Sequence, residues 1–239
     1  MSMNKPSNKD SLFDEVKQAR QSRRNFLRYA GGAGLIAIGA TSCNKFKDYF
    51  PHHGDGNNKI IDLGKGDYGI LNYAYALEQL EAAFYTKVIA EPYHGCSSYE
   101  LKLLKDIRDH EIAHREFFKN ALSSNAIKSL EVNFSSINFN SRDSVLATAK
   151  AFEDLGVSAY NGAGKLISNP DYLTIAGKIV SVEARHAAFI RDLISNGSFA
   201  DNTVIDANGL DTSRAPADVL AIANTYLKTK VSGNNLPTS

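Results

Sequence analysis

A repeat inside the chain constrains its fold more than any other feature. Ala76-Leu77-Glu78-Gln79-Leu80-Glu81-Ala82-Ala83-Phe84-Tyr85 can be laid on Ala151-Phe152-Glu153-Asp154-Leu155-Gly156-Val157-Ser158-Ala159-Tyr160, with Glu and Tyr seven apart in both. Glu111-Ile112-Ala113-His114 lies in the same way on Glu183-Ala184-Arg185-His186, and Phe118 and Ile190 follow at one offset. The two blocks are separated by 33 positions in one half, from Glu78 to Glu111, and by 30 in the other, from Glu153 to Glu183. Two helix pairs of one design, related by a pseudo-twofold axis, are the simplest arrangement that satisfies both copies.

Each block sits in a segment with helical periodicity. Four such segments run over roughly 68–90, 98–122, 142–168 and 171–195. Leu71, Ala74, Glu78, Glu81, Tyr85 and Val88 form one stripe, as do Leu104, Ile107, Glu111, His114, Phe118 and Ala121. The third stripe is Leu146, Ala149, Glu153, Gly156, Tyr160 and Ala163; the fourth is Tyr172, Ala176, Ile179, Glu183, His186, Ile190 and Leu193. Ser97-Ser98-Tyr99-Glu100 has a capping-box pattern, and Asn169-Pro170-Asp171 a breaker and cap. Short links within each pair make antiparallel neighbours, whereas the long middle segment 123–141 suits a crossover along a bundle. The expected fold is all-α: a four-helix up-down-down-up bundle over 68–195, then a C-terminal extension, 196–239, with a short helix at about 216–228. Residues 43–67 read as a flexible spacer and the tail 231–239 as disordered.

Every stripe places a carboxylate near mid-helix, and two place a His one turn further on. Residues three apart on a helix share a face, so each Glu-x-x-His can present oxygen and nitrogen to one ion. Four buried carboxylates without partners would cost several kcal/mol apiece, and no Lys or Arg shares the stripe positions. Two divalent cations would balance Glu78, Glu111, Glu153 and Glu183, with neutral His114 and His186 completing the shell. Mixed oxygen and nitrogen ligands suit two Fe ions, or Mn. The repeat aligns Glu78 with Glu153 and Glu81 with Gly156, which favours Glu78 as ligand and leaves Glu81 as an outer partner or alternative ligand. Tyr85 and Tyr160 are spaced either to bring a phenol near the metals or to bury a ring, and core packing is the favoured reading.

These blocks, with Leu71-Asn72-Tyr73 before them, resemble the ferritin-like family that includes desiccation-related proteins and many exported bacterial members. The resemblance spans about residues 66–230. It implies a four-helix bundle and a dimetal site, and leaves activity open. The expectation is redox chemistry with O2 or H2O2, of ferroxidase, peroxidase or oxidase type; the alternative is a non-catalytic, metal-binding or desiccation-protective envelope protein.

The N-terminus carries a different message. Ser22-Arg23-Arg24-Asn25-Phe26-Leu27-Arg28 precedes a weakly apolar, Gly-rich run from Tyr29 to Ala40 and resembles a twin-arginine export signal over residues 1–42. That run is far shorter than the ~20 residues of a membrane-spanning helix. Ala40-Thr41-Ser42 before Cys43 resembles a lipoprotein cleavage site, with lipidation of Cys43 or ordinary cleavage as the alternatives. The implied partners are the export machinery and a membrane lipid anchor, and the implied location is the bacterial periplasm or cell envelope. The charge is near balance, Lys+Arg 27 against Asp+Glu 26, which excludes a nucleic-acid backbone as an obvious partner. Cys43 and Cys96, the two cysteines, cannot build a site of four thiolates. Dimerisation through a bundle face stays open.

Overall fold

The computed structural model describes residues 60–238; the twin-arginine segment and Cys43 lie outside the described residues. Helix α1 spans Gly66–Ala90, α2 Ser98–Leu122, α3 Arg142–Gly164 and α4 Pro170–Ile194, with a shorter α5 at Pro216–Ala223. Two-residue strands, β1 at Ile61–Asp62 and β2 at Val231–Ser232, pair in parallel. Among the described residues no helix is long and apolar enough to cross a membrane.

The helix starts follow local chemistry. Ser97 caps α2 through a full capping box with Glu100, Ser141 accepts from Ser144 N at α3, and Asn169 accepts from Asp171 N with Pro170 opening α4. The first helix has no side-chain cap of its own. Its Asp67, in the first turn, instead accepts the backbone N–H groups of Ser168 and Asn169 at 2.8 and 2.9 Å. One carboxylate thus favours the positive end of α1 and ties it to the link between α3 and α4.

Neighbouring ends fix the topology. His94 N donates to Asn140 O, joining the exit of α1 to the entry of α3, while Asn72, early in α1, donates to Asn125 O just past the end of α2. The crossover therefore travels the length of the bundle, and the helices run up, down, down, up. The crossover is an ordered layer. Asn72 Oδ1 accepts from Ile127 N and Gln79 Oε1 from Leu130 N, so two buried amides of α1 satisfy peptide groups that no regular structure would. Phe134 and Phe139 pack on Phe84 with ring centroids 6.0 and 5.9 Å away.

This covering explains why α1 is buried around its whole circumference, with every residue from Gly69 to Ala82 inside, whereas α2 keeps one buried stripe. The interior is built on Phe84, Tyr85, Leu104, Leu146, Phe152 and Ile190.

Three boundaries differ from the sequence reading. The third helix stops at Gly164 instead of 168, where a Gly-Ala-Gly run weakens the helix and Asp67 takes the next free peptide groups. The last helix shortens to Ala223 and continues as a single 3-10 turn to Tyr226. The tail is not disordered as expected: Val231 and Leu236 are buried and β2 pairs with β1, so residues 61–67, assigned to a spacer, belong to the fold. The extension also closes on α3 at Gly162, where an added Cβ would stand 1.7 Å from Arg214 O. Only glycine permits that approach.

Candidate metal centre

Antiparallel pairing within each half and the pseudo-twofold between halves bring the four stripes to one place. Glu78, Glu111, Glu153 and Glu183 are fully buried, His186 nearly so, and the His114 side chain is 13% exposed. Their ligand atoms fall into two overlapping groups: Glu78, Glu111, His114 and Glu183, and Glu111, Glu153, Glu183 and His186, each within 4.8 Å. The groups share Glu111 and Glu183. Each group adds one Glu and one His of its own, so the pseudo-twofold passes between them.

Both imidazoles turn Nδ1 inward. His114 Nδ1 lies 2.9 Å from Glu183 and 3.4 Å from Glu78, and His186 Nδ1 lies 2.8 Å from Glu111 and 3.4 Å from Glu153. These approaches are close but badly aligned for hydrogen bonds. Glu78 Oε2, Glu153 Oε2, both oxygens of Glu111 and Glu183, and Nδ1 of both histidines are buried with no hydrogen-bond partner. Buried polar groups are seldom left so, and a cluster of such atoms aimed at two common points has the form of a site for two cations.

The outer oxygens are held crosswise. Tyr85 of α1 donates to Glu153 Oε1 of α3, and Tyr160 of α3 donates to Glu78 Oε1 of α1, both at 2.5 Å. The two phenols were expected chiefly as core packing. They pack in the core and also reach the site, which spacing alone left undecided. Burial, then the neighbouring carboxylates, push both phenols well above their ordinary range, so each remains a donor.

Without cations the cluster shares protons among its acids. Burial raises Glu78 to about 7 and lifts Glu183 and Glu153 as well, with repulsion from Glu111 adding to each. Burial also opposes charge on Glu111, but His114 and His186 outweigh it and hold that carboxyl down to about 2. The imidazoles show the reverse balance: burial disfavours their charge, yet the surrounding carboxylates raise His114 to about 12 and His186 to about 11. In the metal-free cluster two imidazolium charges supply part of the positive charge that two metal ions would bring.

Glu81 is buried beside this cluster and belongs to neither ligand group. Burial and repulsion from Glu111, Glu183, Glu153 and Glu78 lift its carboxyl well above the ordinary range, so it carries a proton. Its space exists because residue 156, its counterpart in the repeat, is glycine: a Cβ there would lie 3.1 Å from Glu81 Oε1.

One participant escaped the sequence reading. His110 Nδ1 lies 2.9 Å from His186 Nε2, on the side away from the carboxylates. It stands one position off the apolar stripe, although its spacing of four from His114 was a usable signal.

The model of the ferritin-like domain family matches residues 66–196, more than half of the chain. The chain belongs to the ferritin-like family. Comparison with curated proteins gives no match. The family match covers all four long helices and every residue of the carboxylate and histidine cluster.

Proposed function

We propose that this ferritin-like protein holds two iron or manganese ions and uses them in redox chemistry with O2 or H2O2. The observation that carries the proposal is the pair of ligand groups sharing Glu111 and Glu183, with their inward atoms buried and unpartnered. Four carboxylates and two imidazoles match the donor set of dimetal carboxylate bundles, and oxygen and nitrogen donors suit Fe or Mn.

Glu111 and Glu183, common to both groups, would help to hold either ion, with Glu78 and His114 serving one and Glu153 and His186 the other. Bound there, a redox-active pair supplies electron exchange with a small oxidant. The chain's own residues do the rest. Tyr85 and Tyr160 fix the outer oxygens of Glu153 and Glu78, which keeps those carboxylates turned toward the ions. Glu81, buried beside the cluster with its carboxyl well above the ordinary range, would hold a proton next to the site. Full burial of the four ligand carboxylates keeps bulk water from them and favours a small oxidant such as O2 or H2O2.

Metal analysis of the purified protein beside activity assays tests this. About two Fe or Mn per chain, together with turnover of ferrous iron, O2 or H2O2, is expected. Two metals without turnover would overturn the redox assignment and leave a metal-binding, stress-protective role. No bound metal would overturn both.

We also propose that the protein is exported to the bacterial cell envelope, on the strength of Arg23-Arg24 and the mild apolar run before Cys43. Mass spectrometry of the mature N-terminus tests it: a start at Cys43, with or without acyl chains, is expected. An intact leader would overturn it.

A further inference from the structure

The two halves of the site differ outside the ligand groups. On one side His186 is backed by His110, with the two ring planes 7° from parallel and their centroids 5.2 Å apart. The centroids are farther apart than the facing nitrogens, 2.9 Å, by about the two ring radii. The rings therefore lie end to end and nearly coplanar, joined by an in-line N–H to N bond, and are not piled face on face. Nδ1 of His186 faces Glu111 and Glu153, and once that nitrogen is given to a cation the ring's hydrogen can stand only on Nε2, from where it donates to His110 Nδ1; His110 itself is exposed.

Among the described residues the other half has no such support. Glu111 lies on Glu183 in the repeat, so His110 lies on Val182, a half-buried side chain with no hydrogen-bonding atom. His114 therefore faces the site from an edge that is more exposed, 13% against 5% for His186. An outer partner that orients a ligating imidazole and keeps Nδ1 free as a donor to metal is worth about 10–100-fold in metal affinity.

We propose that His110 is a positioning residue that makes the two metal positions unequal: it pre-orients His186, so the position of Glu153 and His186 binds a divalent cation more tightly than that of Glu78 and His114. The inference rests on the dimetal reading above.

Titration of metal-free protein with Co2+, followed by visible absorption, tests it. The wild type is expected to bind in two separated steps, the tighter one abolished by Glu153→Ala and retained in Glu78→Ala. His110→Phe keeps a ring but removes the acceptor; it should weaken the tighter step by about 10–100-fold and leave the weaker one in place. His110→Asn, with an oxygen near the former Nδ1, should recover most of that loss. In the Co2+-loaded protein, the exchangeable Nε2 proton of His186 should give a paramagnetically shifted resonance in the wild type and His110→Asn, and lose it to solvent exchange in His110→Phe. Circular dichroism of each variant separates a folding defect from a binding one, and the exposed position of His110 predicts an unchanged fold. Two equal steps in the wild type, or equal affinities in wild type and His110→Phe, would overturn the proposal while leaving the dimetal site intact. A wild type that takes up no Co2+ would overturn the dimetal reading itself.

Discussion

The helix pair α1–α2 and the helix pair α3–α4 are two copies of one device, and they are most instructive where the copies disagree. Both present a lone Glu, a Tyr seven residues on and a Glu-x-x-His, and both donate that Tyr to the lone Glu of the other. Two disagreements touch the site: Glu81 against Gly156, and His110 against Val182. The shared residues make two equivalent ligand groups. The unshared ones add a buried acid beside the pair and an imidazole support behind one of its histidines, so the symmetry that builds the site is not kept by the site's surroundings.

The largest effect should come from the residues common to both groups. Glu111→Ala/Glu183→Ala removes the two carboxylates that each group needs and should take metal content from about two ions to none, as read by elemental analysis. Glu78→Ala and Glu153→Ala each remove a group of one half only, and should each leave about one ion. Equal loss in all of these variants would break the division into two overlapping groups.

Forcing the halves to agree gives the next largest effect. Gly156→Glu would put a second acid against Glu81, whose Oε1 is 3.1 Å from the new Cβ position. An uncompensated buried acid of this kind costs about 3–5 kcal/mol, measurable by denaturant unfolding of the metal-free protein. Glu81→Gly/Gly156→Glu moves the acid to the other half and should regain much of that loss. If the swap is as unstable as the single variant, the two positions are not true counterparts.

The same comparison shows what the sequence could and could not carry. The periodic blocks placed all four long helices and ranked Glu78 above Glu81, because ligands recur on a stripe and the repeat gave each one a partner. His110 stands off that stripe, and its role depends on the angle between two rings, which spacing does not encode. The order of the tail was hidden for another reason. Leu236 and Val231 are buried against elements more than 160 residues away in sequence, Gly69 and Ile61, and a two-residue parallel pairing leaves no local pattern. Likewise Asn72 and Gln79 look like misplaced polar residues on an apolar helix until the crossover peptides they satisfy are in place. Gly162 shows the same limit, since the approach of Arg214 that requires it comes from outside the repeat.

Stability should depend on pH and metal together. In the metal-free fold Glu78 is raised from an ordinary 4.5 to about 7, with Glu183 and Glu153 raised too. A group raised on folding stabilises fully below its unfolded pKa and loses that contribution as pH climbs through the folded one. The metal-free protein should therefore lose stability, and with it melting temperature, from about pH 5 to pH 8, the unfolding free energy falling by as much as about 1.4 kcal/mol per pH unit for each proton the fold alone retains. Glu111, lowered to about 2, works the other way and matters only in acid. The histidines, raised to about 11 and 12, hold their protons across this range, and metal must displace them. The gap in melting temperature between metal-loaded and metal-free protein should widen with rising pH. A constant gap would mean that the carboxylates are not the groups the metal relieves.

The smallest effects separate the halves most finely. Tyr85→Phe and Tyr160→Phe each delete a hydroxyl that a buried carboxylate accepts, at a cost of about 2 kcal/mol, and the repeat predicts equal losses of stability. Metal affinity should not fall equally. Tyr85→Phe frees Glu153 on the side where His186 is still held by His110, so one supported ligand remains. Tyr160→Phe frees Glu78 where His114 has only Val182 in the corresponding place, so neither private ligand of that ion then has outer support. The weaker metal position should therefore suffer the larger fold-change in Tyr160→Phe than the tighter one does in Tyr85→Phe. Equal fold-changes would show that the hydrogen bond from His186 to His110 adds nothing to what the phenol already secures.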